Sequence, residues 1–148
     1  MLICTEFTGQ SGWHLLVSEA VEKSGYVFDD HLQNYLVMTL DHFMEYSDLA
    51  GDIIAIDFLE GIQIKDSTIG QQKLRKVGDQ CLLISGLFPE RLQKRNVSLG
   101  YYIHAGQHAY WLISQQPKSG SLDRELFYEL SEQFTGLMDV LGHIRLPS

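Results

Sequence analysis

The apolar residues of this chain recur at intervals of three and four positions, the spacing that puts side chains on one face of an α-helix. The interval holds through five stretches, which are Trp13–Val21, Phe28–Phe43, Leu74–Phe88, Leu99–Gln116 and Leu126–Ile144. The pattern therefore predicts an all-α protein, a single helical domain over residues 1–148 that forms a compact bundle of about six helices.

Residues that begin or end helices lie at the edges of these stretches. Gly25 lies one residue past the predicted end of the first helix, where it suits a left-handed C-terminal cap. The acidic pair at 29–30 places negative charge where the second helix begins. Pro89 and Pro117 each follow a helix that must end before them. The last helix is expected to run over 121–144.

Residues 52–65 carry an ambiguous pattern. Leu49, Ile53 and Ile56 have helical spacing, whereas Ile54, Ile56 and Phe58 alternate as they would in a strand. We favour a helix to about Glu60, because a two-stranded hairpin alone is only marginally stable. The alternative is that 52–65 is partly extended.

Several small residues fall inside the predicted helices. A glycine there costs about 1 kcal/mol relative to alanine, so each must serve a purpose; they are Gly78, Gly86, Gly100, Gly106 and Gly136. We predict close helix packing at these positions, with room for a ligand as the alternative. Cys81 shares the apolar stripe of its helix, so we expect it to be buried and unreactive.

The charge of the chain is unevenly distributed. The net charge is −8, but residues 1–64 carry −10 and residues 65–95 carry +4. This balance argues against nucleic-acid binding by the chain as a whole. Cys4 and Cys81 fit no disulfide or metal spacing, and no apolar run approaches the roughly 20 residues of a membrane span. We expect a cytoplasmic protein with no membrane contact.

Metal binding has two candidate pairs at helical spacing. His104 and His108 stand four residues apart, as do Asp139 and His143. Both pairs are expected to point away from the apolar stripes of their helices, and they do not converge. We therefore predict no metal site and no cofactor.

Catalysis has one candidate cluster, on the predicted helix 28–46. His31, Tyr35, His42 and Glu45 lie along one edge of its apolar stripe. A histidine beside a carboxylate there can act as a general base. The alternative is that both histidines form hydrogen bonds at the core boundary. The pattern leaves open whether the protein is an enzyme.

The basic residues of segment 73–95 form a third candidate site. Arg91, Lys94 and Arg95 are close enough in sequence to hold an anion or an RNA backbone. A solvated charged face is the favoured alternative, since no nucleic-acid-binding motif accompanies them.

The predicted helix 99–116 carries a candidate interface. Its apolar residues cover an arc of roughly 200°, wider than one core-facing stripe requires. Tyr101, His104, His108 and Trp111 lie on or beyond its edge, and large aromatic residues are common at the centres of interfaces. We predict association with another protein or with a second copy, most simply as a homodimer. The alternative is a central helix that is buried all round.

A motif in the middle of the chain resembles bacterial hypothetical proteins of unassigned function. It runs from Val77-Gly78-Asp79 through Gly86-Leu87-Phe88-Pro89-Glu90 and on to Tyr101-Tyr102, Gly106 and Ala109-Tyr110. The resemblance implies a bacterial cytoplasmic protein, and it transfers no activity, cofactor or catalytic residue to this chain. The first hypothesis is thus a non-enzymatic, self-associating helical interaction protein. A small enzyme or ligand-binding domain using His31, His42 and Glu45 is the second, and an anion- or RNA-contacting adaptor is the third.

Overall fold

The computed structural model describes residues 10–45, 68–94, 98–116 and 121–144, and these residues form helices and no strand. The predicted all-α fold is confirmed for this part of the chain, and residues 52–65 lie outside it. In chain order the helices are α1 (Gln10–Ser24), α2 (Asp30–Glu45), α3 (Thr68–Leu87), α4 (Pro89–Lys94), α5 (Leu99–Ser114), α6 (Ser121–Glu132) and α7 (Phe134–Gly142).

Local signals set the ends of the helices. Gly25 has a φ of +81° and donates its N–H to the Val21 carbonyl oxygen at 3.2 Å, which confirms the predicted cap of α1. At the start of α2, Asp29 Oδ1 accepts the N–H of Leu32 at 3.3 Å. Ser98 does the same for α5, since its Oγ accepts the N–H of Tyr101 at 3.3 Å.

Two features of the helices differ from the prediction. The helix expected over 121–144 is interrupted at Gln133. The apolar pattern does not reveal this break, because the residues on both sides of it are buried on one stripe. The short helix α4 was also not predicted from the sequence. Pro89 ends the preceding helix as expected, but a proline also has the φ that suits the first residue of a new helix.

The centre of the fold is the contact between α3 and α5, the most extensive of the described helix pairs. α6 packs on α5, and α7 packs on α3. α1 pairs with α2 and also reaches α7. The predicted stripe of α3 faces this core, with Leu74, Val77, Cys81 and Ile84 all buried.

Glycines bring the central helices together, as predicted for Gly78 and Gly106, whereas the prediction is wrong for the exposed Gly100, where a β-carbon would meet only Ser98 Oγ, at 3.5 Å. A β-carbon on Gly106 would lie 2.5 Å from Cζ of Phe134, and one on Gly78 would lie 2.5 Å from Cε1 of Tyr110. Real β-carbons do not approach other atoms so closely, so both positions require glycine for this packing. Because Gly78 has no side chain, the Tyr110 ring packs directly against the backbone of α3. Gly78 immediately precedes Asp79 in the sequence.

α2 and α3 are not among the closely packed pairs of the described helices. Side chains rather than touching backbones connect them, and an open groove lies along their boundary. None of the described helices is both long enough and apolar enough to pass through a membrane.

Candidate functional site

A buried carboxylate, Asp79, lies where α2, α3 and α5 meet. Only 7% of the residue is exposed. Its Oδ1 accepts two hydrogen bonds of 2.7 Å, one from the hydroxyl of Tyr35 on α2 and one from the hydroxyl of Tyr110 on α5. A single oxygen atom of Asp79 on α3 is therefore hydrogen-bonded to side chains of both α2 and α5.

Arg75 completes this network from the preceding turn of α3. Its Nε donates to the Tyr35 hydroxyl oxygen at 3.1 Å and lies 3.9 Å from Asp79 Oδ2. The guanidinium carbon is 5.1 Å from the centre of the Tyr35 ring, within cation–π range. About half of the side chain, 49%, is exposed. Arg75 thus links the buried carboxylate to the surface.

Burial changes the acidity of Asp79. Removal from water raises the pKa of the carboxyl to about 6. The hydrogen bonds from Tyr110 and Tyr35 and the electrostatic interactions with Arg75 and His42 act in the opposite direction. A carboxyl that titrates near neutrality can hold or release a proton under ordinary conditions, the property required of a general acid or base.

The other members of the network keep fixed protonation states. Burial and the charge of Asp79 raise the pKa of Tyr35 and of Tyr110 well above the usual phenol value, so both remain hydrogen-bond donors. Partial burial lowers the pKa of Arg75, but Tyr35 and Asp79 raise it by more, so Arg75 stays a cation. Asp79 is therefore the member of this network that titrates near neutral pH.

Aromatic rings close the inner side of the network. Phe127 of α6 packs edge-on to Tyr35 with ring centres 5.7 Å apart, and its ring lies 5.9 Å from that of Tyr110. Phe134 of α7 contacts Tyr110 from another side, at 6.0 Å. These apolar neighbours exclude water from the phenols, which strengthens the hydrogen bonds to Asp79.

The outer side of the network opens into the groove between α2 and α3. This cavity has a volume of about 350 Å³ and is lined by Met38, Thr39, His42, Gln72, Arg75, Lys76 and Asp79. Thr39 is fixed in place because its hydroxyl donates to the Tyr35 carbonyl oxygen at 2.8 Å. Met38, His42 and Lys76 are exposed and form the rim.

The structure divides the predicted catalytic cluster. Tyr35 and His42 belong to the Asp79 site, and Tyr35 is buried rather than at the edge of the core. His31 is exposed, close to Glu129 of α6. It lies about 16 Å from His42 along α2, at 1.5 Å per residue. Glu45 belongs to α2, but its side chain lies outside the described part of the chain.

Sequence reasoning missed the three residues at the centre of the site, Asp79, Arg75 and Tyr110. One signal was available: an acid four residues after an arginine, on a face of α3 where Leu82 and Leu83 form a second apolar stripe. A charged residue in such a stripe indicates a buried polar group with a partner.

The predicted interface residues share the outer face of α5. His104 and His108 have ring centres 6.2 Å apart, and Trp111 lies 6.1 Å from His108. Tyr101 is 49% exposed and Trp111 42% exposed, while Tyr102 and Ala109 on the opposite face are buried. The predicted orientation of the helix is confirmed, and the alternative of a helix buried all round is wrong. We call Tyr101, His104, His108 and Trp111 the α5 stripe.

The remaining candidates do not form a site among the described residues. No group of three or more histidine, cysteine or acidic side chains there is arranged to hold a metal ion. His143 Nδ1 lies 2.8 Å from the backbone oxygen of Asp139 rather than forming a pair with its carboxylate. The side chains of Arg91, Lys94 and Arg95 lie outside the described part of the chain.

The expected state of Cys81 agrees with its surroundings. The side chain is fully buried, and burial raises the pKa of its thiol to about 12. The reactive form of cysteine is the thiolate, so this residue does not serve as a nucleophile.

No protein-family model matches this sequence, and comparison with curated proteins and with solved structures finds no similar chain. The resemblance of residues 77–110 to bacterial proteins of unassigned function therefore stays a prediction. Function has to be inferred from the geometry of the site.

Proposed function

We propose that this protein is a small-molecule-binding domain and that its ligand occupies the groove between α2 and α3. One observation carries the proposal: a buried carboxylate, held by two phenols, lies at the wall of an open cavity beside a half-exposed arginine. Pockets with a few convergent polar groups and a perturbed titratable residue are the usual places for ligands.

A purely structural role explains less of this arrangement. The network does connect three helices, but an apolar contact would connect them without desolvating a carboxylate and part of an arginine. Asp79 and Arg75 also both line the cavity. A ligand that contacts Arg75, which Asp79 holds in place, would account for charges that the fold alone does not need.

Binding can be tested by recording amide NMR spectra while a library of small polar compounds is added. Ligands of the groove should shift the amides of Thr39, Gln72 and Lys76 first. Replacing the rim residue His42 by alanine should weaken that binding. His14→Ala, a matched change at an exposed position on α1, should leave it unchanged. Shifts that cluster away from the groove, or equal effects of the two variants, would contradict the proposal.

Self-association through the α5 stripe is a second candidate function. Residues 99–114 contain no acidic residue, lysine or arginine, although the chain carries a net charge of −8. Two acidic copies can approach through such a face with little like-charge repulsion. Exposed Tyr101 and Trp111 would supply the apolar contact. A homodimer with two-fold symmetry is the simplest form of this association.

We also propose that the protein works in the bacterial cytoplasm. A free thiol buried in the core, Cys81, suits a reducing compartment, and the resemblance of residues 77–110 supports a bacterial origin. Cell fractionation of a tagged copy tests the location. Recovery outside the cytoplasmic fraction would overturn it.

A further inference from the structure

The groove carries more positive than negative charge. The two basic residues of its lining, Arg75 and Lys76, both lie on its α3 side. The acidic residue of the lining is Asp79, and its Oδ1 already accepts two phenol hydrogen bonds. A ligand entering from solvent therefore meets cationic groups first.

Arg75 is held in position before any ligand arrives. Its contacts with Tyr35 and Asp79 both use Nε, and its guanidinium group lies over the Tyr35 ring. The planar guanidinium group carries further N–H donors in a fork that matches carboxylate and phosphate oxygens. A fixed arginine loses little conformational entropy on binding, which favours affinity.

The size and the apolar part of the groove indicate a compact ligand. A volume of about 350 Å³ is at the lower end of the range for small-molecule sites. Met38 is half exposed at the rim, and its flexible thioether can adapt to an apolar group.

We propose that the groove binds a small oxyanion, a carboxylate or phosphate group attached to an apolar body, with Arg75 and Lys76 contacting the anion and Met38 the body. This inference rests on the proposed ligand-binding function and names its ligand class. Asp79 acts as a positioning residue, since it holds Tyr35 and Arg75 rather than the ligand.

Four probe molecules of similar size distinguish the effect of ligand charge on binding from the effect of ligand shape. Benzoate and phenyl phosphate carry an anion, benzyl alcohol is neutral, and benzylammonium is a cation. Each is titrated into the full chain while amide NMR shifts are followed. The two anions should shift the groove amides and saturate, and the neutral and cationic probes should bind at least roughly tenfold more weakly. The stronger of the two anions identifies the carboxylate or phosphate as the preferred group.

Two charge-removing variants test the residues. Arg75→Gln and Lys76→Gln should each weaken anion binding by roughly tenfold or more. Arg124→Gln removes the same charge from an exposed position on α6 that does not line the groove, and it should have little effect. Lys76 is exposed, so its variant keeps the test valid if Arg75→Gln disturbs the fold.

The outcomes separate this inference from the proposed function. If the neutral or cationic probe binds the groove as tightly as the anions, the groove is a ligand site but the oxyanion assignment is wrong. The assignment is equally wrong if Arg124→Gln weakens binding as much as Lys76→Gln. If none of the four probes shifts a groove amide at millimolar concentration, the inference fails, and the library titration still tests the proposed function.

Discussion

Tyr35 and Tyr110 stand edge-on to each other, with ring centres 6.3 Å apart and ring planes at 87°, and donate to the same oxygen atom of Asp79. They come from helices that are far apart in sequence. Through these two hydrogen bonds, the buried carboxylate of Asp79 connects α3 to both α2 and α5. The geometry of the tyrosine pair can be tested by removing one hydroxyl at a time.

Tyr110→Phe should lower the free energy of unfolding at pH 7 by about 2 kcal/mol, since a hydrogen bond to a charged acceptor contributes roughly 1.5–3 kcal/mol. Tyr35→Phe should cost more, because the Tyr35 hydroxyl also accepts from Arg75. Urea denaturation measures both losses, and Tyr101→Phe, at an exposed position, is the matched control. Losses no larger than that of the control would show that the hydroxyls do not stabilise the fold.

Asp79 should make stability fall as the pH rises. The pKa of this carboxyl is about 6 in the folded chain, against an ordinary value of 3.8, so between these values the folded state binds more protons than the unfolded state. The stabilisation is complete below about pH 4 and is lost as the pH passes through 6, by an amount on the order of 3 kcal/mol.

Comparison with Asp79→Asn isolates this effect. The unfolding free energy of the wild type minus that of the variant should decrease between pH 4 and 6 and then level off. Glu132→Gln, which removes an exposed acid from α6, controls for general surface charge. Parallel pH profiles for the wild type and Asp79→Asn would mean that Asp79 titrates alike in the folded and unfolded states.

Gly78→Ala should destabilise the protein although alanine is the better helix former. The added β-carbon would lie 2.5 Å from the Tyr110 ring, and overpacking of this kind costs about 1–3 kcal/mol. Gly100→Ala is a suitable comparison, because its β-carbon would meet only Ser98 Oγ, at 3.5 Å. Thermal denaturation should show a lower Tm for the first variant and an unchanged or higher Tm for the second. Equal behaviour would argue against the close approach of α3 and α5.

Trp111→Glu should shift the protein toward monomer with its helix content unchanged. Trp111 is half exposed in the α5 stripe, so a charge there would oppose a second copy without disturbing the core. Light scattering at tens of micromolar measures the change, and Tyr128→Glu places the same charge at an exposed aromatic position on α6. A wild type that is already monomeric at that concentration would exclude self-association through this face.

Prediction from sequence succeeded where the cause is local. The cap at Gly25, the start of α2 near Asp30 and the buried stripe containing Cys81 each depend on residues within one or two turns. The Asp79 site depends on pairs 44 and 31 residues apart along the chain. Helical periodicity placed Tyr35 at the edge of the apolar stripe of α2, but it carries no information on which residue from another helix would lie opposite.

The same limit applies to the catalytic cluster predicted on α2. Residues 31 and 42 share a face of the helix, yet that face passes over two different neighbours. It meets α6 near Glu129 at one end and the Asp79 groove at the other. Residues on one helical stripe form one site only where a single neighbour covers the whole stripe.

The side-chain connection between α2 and α3 also bears on how the native state opens. α1 and α2 pair mainly with each other. The Tyr35 hydroxyl connects them to α3, since it donates to Asp79 and accepts from Arg75. Such a hairpin is a cooperative unit that can detach at less than the cost of global unfolding. Amide hydrogen exchange should therefore be faster in α2 than in α3 and α5. The groove lies along the boundary between α2 and α3 that separates when the hairpin detaches. A molecule bound in the groove would therefore slow amide exchange throughout the hairpin.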